Sequence, residues 1–258
     1  MMKKRPSLHS AAFCFFLCLL FCAVFPLEGA AKEAQDAQPS ALGSAAGPAE
    51  GEMAVPEGRV VYQEGFFYEP IQEAVKQRIL GISYAEDCTV PMEELRYVRI
   101  LYVDFYGQTQ QGELICNEYI AQDLVEIFYE LYQAGYPLES VRLIDDFGGD
   151  DTLSMECNNT SCFNYRVVEG TSTLSKHAYG LAIDINPLYN PYVTYRGGTQ
   201  HVSPAISAPY ADRSLDFPNK IDEADLCYQL FMEHGFTWGG DWRTMKDYQH
   251  FQKSLPED

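Results

Sequence analysis

The chain has 258 residues, with 18 lysines and arginines against 37 aspartates and glutamates, for a formal net charge of −19. A surface that acidic repels phosphate backbones and anionic headgroups, so nucleic acid is excluded as a partner class. The length suits one sizeable domain with extensions.

The first segment reads as a leader. Lys3, Lys4 and Arg5 precede an apolar run from Ala11 to Pro26, and small residues follow at Gly29–Ala31. This predicts a secretory signal peptide over residues 1–31, with an uncleaved anchor as the alternative. Residues 32–58 contain no aromatic residue and are dominated by Ala, Gly, Pro, Glu and Gln. Such a segment cannot bury enough apolar surface to offset its ordering entropy, so it is expected to be a disordered linker with a reach of about 30 Å. Residues 59–258 are aromatic-rich and predict a single domain. Without residues 1–31, which hold Lys3, Lys4, Arg5 and Glu28, 15 basic residues face 36 acidic ones, a charge of −21.

Within the domain, Glu69–Leu80 carries Ile71, Val75 and Ile79 at helical spacing, with Pro70 suited to a first turn. Tyr97–Phe105 is β-branched and aromatic and predicts a strand. Asn117–Gly135 places Ile120, Leu124, Ile127, Phe128 and Leu131 on one face and predicts a helix closed by Gly135. Val141–Phe147 and Leu181–Ile185 read as buried strands. Asp222–Gly235 reads as a helix, and Phe236–Gly239 and Tyr248–Gln252 as short strands. Helices and strands without steady βαβ alternation indicate an α+β fold.

Five cysteines lie beyond the leader: Cys88, Cys116, Cys157, Cys162 and Cys227. An exported setting favours pairing, and the short spacing of Cys157 and Cys162 predicts a disulfide bracing the loop that leads to Arg166. No CxxC pairs are present, which disfavours a cysteine-based zinc site.

The chemistry-bearing stretch is SKHAYGLAID, Ser175–Asp184. His177 approaches a strand and Asp184 lies within it, where an unpaired carboxylate would be costly without a cation or hydrogen bonds. Gly180 lets the backbone turn between them. The C-terminal WGGDWRTMKDYQHFQ, residues 238–252, offers His250 as a third ligand and Asp247 three residues earlier. Two imidazoles and one carboxylate are suitable zinc ligands that leave a fourth position for water, and Asp247 is placed to act as general base. His9, His201 and His234 are read as structural.

The combination of SxHxxGxAxD with DxxHFQ resembles the zinc peptidases that include the D-alanyl-D-alanine carboxypeptidases and the L-alanyl-D-glutamate endopeptidases. NNTSCFNYR, Asn158–Arg166, is similar to the family segment whose arginine faces the scissile carbonyl, and the likeness runs over roughly Leu95–Gln252. The resemblance implies His177, Asp184 and His250 as Zn2+ ligands, Asp247 as catalytic base, and Arg166 as the cation stabilising the tetrahedral intermediate or holding a substrate carboxylate. Ser175, within the first motif, is expected at the substrate. Many relatives carry Glu at the base position, and Asp241 is the fallback for Asp247. The fold implied is that shared with the Hedgehog signalling domain, a small, mostly antiparallel sheet with flanking helices. The implied substrates are peptidoglycan stem peptides, met by a secreted, wall-associated monomer with no membrane contact beyond a possible N-terminal anchor. The alternative is a catalytically silent wall-binding or signalling module on the same fold.

Overall fold

The computed structural model describes residues 55–168 and 170–256. The expected leader, and the expected linker up to residue 54, lie outside the described residues. Among the described residues no helix is long and apolar enough to cross a membrane.

The chain opens with strands β1 (Val60–Gln63) and β2 (Phe66–Pro70), continues through helix α1 (Glu73–Ile79), and then forms β3 (Leu95–Val103) and β4 (Thr109–Asn117). These four strands make one antiparallel sheet in sequence order. The β3–β4 pairing is unbroken from Leu95 opposite Asn117 to Val103 opposite Thr109. Asn117 then caps helix α2 (Glu118–Gln133), its side chain accepting the Tyr119 N–H at 3.0 Å, and Gly135 leaves the helix in the left-handed region at φ +66°. The predicted stripe of Ile120, Leu124, Ile127, Phe128 and Leu131 is buried against the sheet. Burying each such side chain contributes about 1.5–3 kcal/mol, which makes this layer the main core.

Beyond α2 the elements are short. β5 (Ser140–Val141) pairs in parallel with β6 (Asn159–Thr160), and helix α3 (Asp151–Glu156) lies between them in sequence. The buried Asn159 side chain ties this region together. Its oxygen accepts the Ser140 hydroxyl and the Arg142 N–H, and its amide donates to the Arg142 carbonyl and Ser154 Oγ, at 2.9–3.1 Å. Next come β7 (Ala182–Asp184), the hairpin β8 (Tyr192–Arg196) and β9 (Thr199–Ser203), and helix α4 (Leu226–Glu233). The chain ends with β10 (Thr237–Trp238), β11 (Lys246–Asp247) and β12 (His250–Gln252). Two antiparallel three-stranded sheets result, ordered β10-β12-β7 and β11-β8-β9. Phe251 of β12 stacks on Phe231 of α4 with ring centroids 4.4 Å apart, anchoring the first of these to the core.

The α+β class stands, but the β-structure is divided among several small sheets rather than gathered into one. Three local expectations are corrected. Glu69 and Pro70 belong to β2, where Glu69 sits opposite Tyr97 and accepts the Arg59 Nε–H at 2.6 Å, so α1 begins only at Glu73. Of Val141–Phe147, only Val141 is in a strand. Ile144–Phe147 forms a 3-10 turn whose Asp145 carboxylate accepts the N–H and hydroxyl of Ser83. Cys157 and Cys162 are separate thiols. Asn158, at φ +54°, turns the chain inward between them, so Cys157 stays exposed at the end of α3 while Cys162 is buried with its thiol directed at the Gly180 carbonyl.

Candidate metal centre

Local hydrogen bonds fix the turn that carries His177. Ser175 caps a 3-10 turn over Lys176–Tyr179, its Oγ accepting the His177 N–H at 3.2 Å while its own N–H donates to the Arg166 carbonyl at 3.0 Å. Gly180 ends the turn at φ +65°. A Cβ there would stand 2.6 Å from the Asn117 nitrogen, so the close approach of this turn to the β4–α2 junction requires glycine. The turn delivers a buried His177 beside β7.

Register places the other two donors. His250 lies directly opposite Asp184 in the β12–β7 pair, and directly paired residues project to the same face. His250 Nδ1 is 3.1 Å from Asp184 Oδ1, His177 Nε2 is 3.3 Å from Asp184 Oδ2, and the two imidazole nitrogens are 3.2 Å apart. All three residues are buried, and their donor atoms lie within 4.8 Å of one another. The far side of each ring is also engaged. His177 Nδ1 is 2.6 Å from the Cys162 carbonyl, which can only accept, so that nitrogen carries the proton and Nε2 turns its lone pair inward. His250 Nε2 lies 3.0 Å from Gln252 Oε1, which assigns the inward lone pair to Nδ1. Outer partners of this kind hold imidazoles in the tautomer a metal needs.

The charges follow from this packing. Burial alone would raise the Asp184 pKa, but the two imidazoles outweigh it and hold the carboxyl well below the usual carboxylate range. Burial would lower that of His250, yet the hydrogen bond and charge of Asp184 prevail and push it up to about 9. In a metal-free centre the ring therefore holds a proton where a cation would otherwise sit.

Asp247 enters from the neighbouring sheet, paired with Tyr192. Gly239 makes room for it, because a Cβ at that position would come within 2.6 Å of the Asp247 carbonyl oxygen. Burial pushes the Asp247 carboxyl up to about 7, with the Asp184 charge adding to the effect and His250 opposing it. Its Oδ1 is shut off from solvent and has no hydrogen-bond partner. His177, Asp184, His250, Asp247, Arg166 and Ser175 all line one cleft of about 340 Å³. Arg166 is held at one end by Asp151, Nη2 to Oδ2 at 2.8 Å, while its buried Nε has no partner. Ser175 lines the cleft but spends its hydroxyl on the His177 turn. Asp241, the fallback base, lines a different cavity with Arg213 and Tyr248. His234 is tied to Asp123 at 3.2 Å, and His201 is exposed on β9. Of the expected histidines, His9 lies outside the described residues.

Sequence reasoning missed Asp151, Gln252 and Trp242, whose ring lies 5.3 Å from that of His250. Gln252 was within reach, since strand alternation puts residues two apart on one face. Asp151 carries no local signal linking it to Arg166.

Two buried imidazoles and a carboxylate, with lone pairs turned inward and a further acid beside them, form a centre that could hold one divalent metal ion of the kind zinc enzymes use. Residues 169–253 match the model of a peptidase family, described as D-alanyl-D-alanine carboxypeptidase. That span includes His177, Asp184, Asp247 and His250. No curated protein and no solved structure matched the chain.

Proposed function

We propose that the protein is a zinc-dependent peptidase that hydrolyses peptidoglycan stem peptides outside the cytoplasmic membrane, on the fold of the D-alanyl-D-alanine carboxypeptidases and the Hedgehog signalling domain. The observation that carries this reading is the convergence of His177, Asp184 and His250 beside Asp247 in one cleft, within the segment that matches the peptidase family. The donor set fits zinc: two imidazoles whose outer nitrogens are each held by an oxygen, and one carboxylate, all buried.

His177, Asp184 and His250 would hold the ion, which when bound acidifies water and polarises a carbonyl. Asp247, which lines the cleft beside the three donors, takes the proton of the attacking water and passes it to the leaving amine. Its raised pKa suits both transfers near neutrality. Arg166, anchored by Asp151, directs its remaining N–H groups at the developing oxyanion or at a substrate carboxylate. Ser175 keeps His177 in place.

The test is mass spectrometry of muropeptide digests made with the purified, zinc-loaded protein. Loss of a terminal alanine identifies a carboxypeptidase, and release of the stem after its first L-alanine identifies an endopeptidase. Zinc bound without turnover of any stem peptide would assign the protein to wall binding instead.

A further inference from the structure

The last strand carries more than a metal donor. His250, Gln252 and Ser254 are spaced by two, so alternation sets them on one face, while Lys253 faces the other way and pairs with Asp123 of α2 at 2.8 Å. The pairing with β7 is kept through Lys253, whose N–H donates to the Leu181 carbonyl at 2.9 Å, so the face stays regular beyond the centre. Lys176, in the turn one residue before His177, reaches that face: its Nζ donates to Ser254 Oγ at 3.5 Å. A lysine has three N–H groups, and this long, neutral contact occupies one. Among the described residues no carboxylate pairs with Lys176, in a chain where 37 acidic residues face 18 basic ones. Gln252 is half used as well. Its oxygen faces His250 Nε2, and its amide nitrogen has no hydrogen-bond partner among the described residues. Lys176 and Gln252, both half-buried, line the cleft that holds the candidate metal donors.

We propose that Lys176, with the Gln252 amide further along the same face, forms a subsite for a carboxylate of the peptide substrate. The inference rests on the peptidase reading above, which supplies the substrate class. In a chain of net charge −19 an acidic peptide meets general repulsion, so an uncompensated ammonium beside the donors decides where its carboxylate can rest. Arg166 suits that role less, because Asp151 already takes up part of its charge, which leaves it to the oxyanion. From His250 to Gln252 the strand advances about 7 Å, the span of about two residues of extended peptide. The carboxylate is therefore one carried within about two residues of the cut bond. Two sources supply it: the chain terminus, as at a carboxypeptidase, or the side group of a glutamate, as at an endopeptidase cutting beside one.

Binding is measured by calorimetry on the zinc-loaded Asp247→Asn protein, which keeps peptides intact. The probes are a short stem-type peptide with a free C-terminus and one glutamate, the same peptide amidated at its C-terminus, the same peptide with glutamine for glutamate, and the peptide with both changes. Neutralising the recognised carboxylate is expected to weaken binding about tenfold, the scale of a charged hydrogen bond. Adding Lys176→Gln should erase that difference, and the single change whose effect vanishes names the carboxylate. Lys176→Arg should restore most of the difference, and the doubly neutral peptide should bind the same with and without Lys176→Gln. Differences that all survive Lys176→Gln overturn the subsite, as does indifference to both single changes. An equal loss for the doubly neutral peptide also overturns it, because the substitution would then be disturbing the cleft rather than a charge contact. Hydrolysis by the unmutated protein is scored separately. Absent turnover with the Lys176-dependent difference intact sinks the peptidase reading and leaves the subsite, whereas turnover without that difference does the reverse.

Discussion

Gly180 and Asn117 are locked together: the Gly180 carbonyl accepts the Asn117 N–H at 2.8 Å, and a side chain on Gly180 would strike that same nitrogen. The turn carrying His177 is thus seated on the junction of β4 and α2. Gly180→Ala is expected to destabilise the protein by about 1–3 kcal/mol from its left-handed conformation alone, with the backbone collision adding to that. Urea unfolding of the variant measures the loss, and zinc affinity should fall with it. A variant as stable as the parent would show that the turn can move away from the junction.

Metal binding and proton transfer should separate between two residues three positions apart. His250→Ala removes one of three protein donors, so zinc content and hydrolysis should disappear together. Asp247→Asn leaves the three donors in place and should keep near-normal zinc while lowering the hydrolysis rate about 10²-fold or more. Metal analysis and stem-peptide hydrolysis on both variants check this. An Asp247→Asn protein that turns over at close to the parent rate removes Asp247 from the base role.

The raised pKa of His250 gives metal binding a defined pH dependence. The value moves from 6.5 up to about 9, so in the metal-free protein the stability due to the Asp184–His250 contact is fully present below 6.5 and is lost as pH rises through about 9. A zinc ion bound through His250 Nδ1 would have to displace that proton across the same interval. Apparent affinity is therefore expected to rise about tenfold per pH unit up to about 9, with close to one proton released. Titration calorimetry in two buffers of different ionisation enthalpy counts the proton. A heat independent of buffer would mean that His250 is already neutral.

Gln252 should matter although it is not one of the three candidate donors. Gln252→Ala deletes the acceptor at His250 Nε2, frees the ring to rotate and shift tautomer, and is expected to weaken zinc binding about 10–100-fold. Gln252→Glu retains an acceptor and should recover most of the loss. Competition with a chromophoric chelator reads both.

The legibility of the sequence varied with the range of the forces involved. The α2 stripe was readable because a sixteen-residue helix repeats its apolar signal over four turns. The convergence of His177, Asp184 and His250 was readable because two spaced motifs carried them. Pro70 misled because a proline fits a first helical turn and a strand end equally well, and pairing with β3 decided between them. Val141–Phe147 misled because its apolar start hides two aspartates, one of which is held by Ser83 from far along the chain. The Cys157–Cys162 expectation failed on backbone direction, which spacing does not encode. The grip of Asp151 on Arg166 depends on where α3 lands in space.

The order β10-β12-β7 makes the strand bearing His250 the middle member of its sheet, with its partner Asp184 sixty-six residues earlier in the chain. Such pairing is the slow, high-contact-order kind. The centre therefore comes into being only when β12 slots between its two neighbours, and until then His177 and Asp184 are two donors without a third. A metal held by these three residues would on this account meet its full donor set only in a chain whose last strand is already in place.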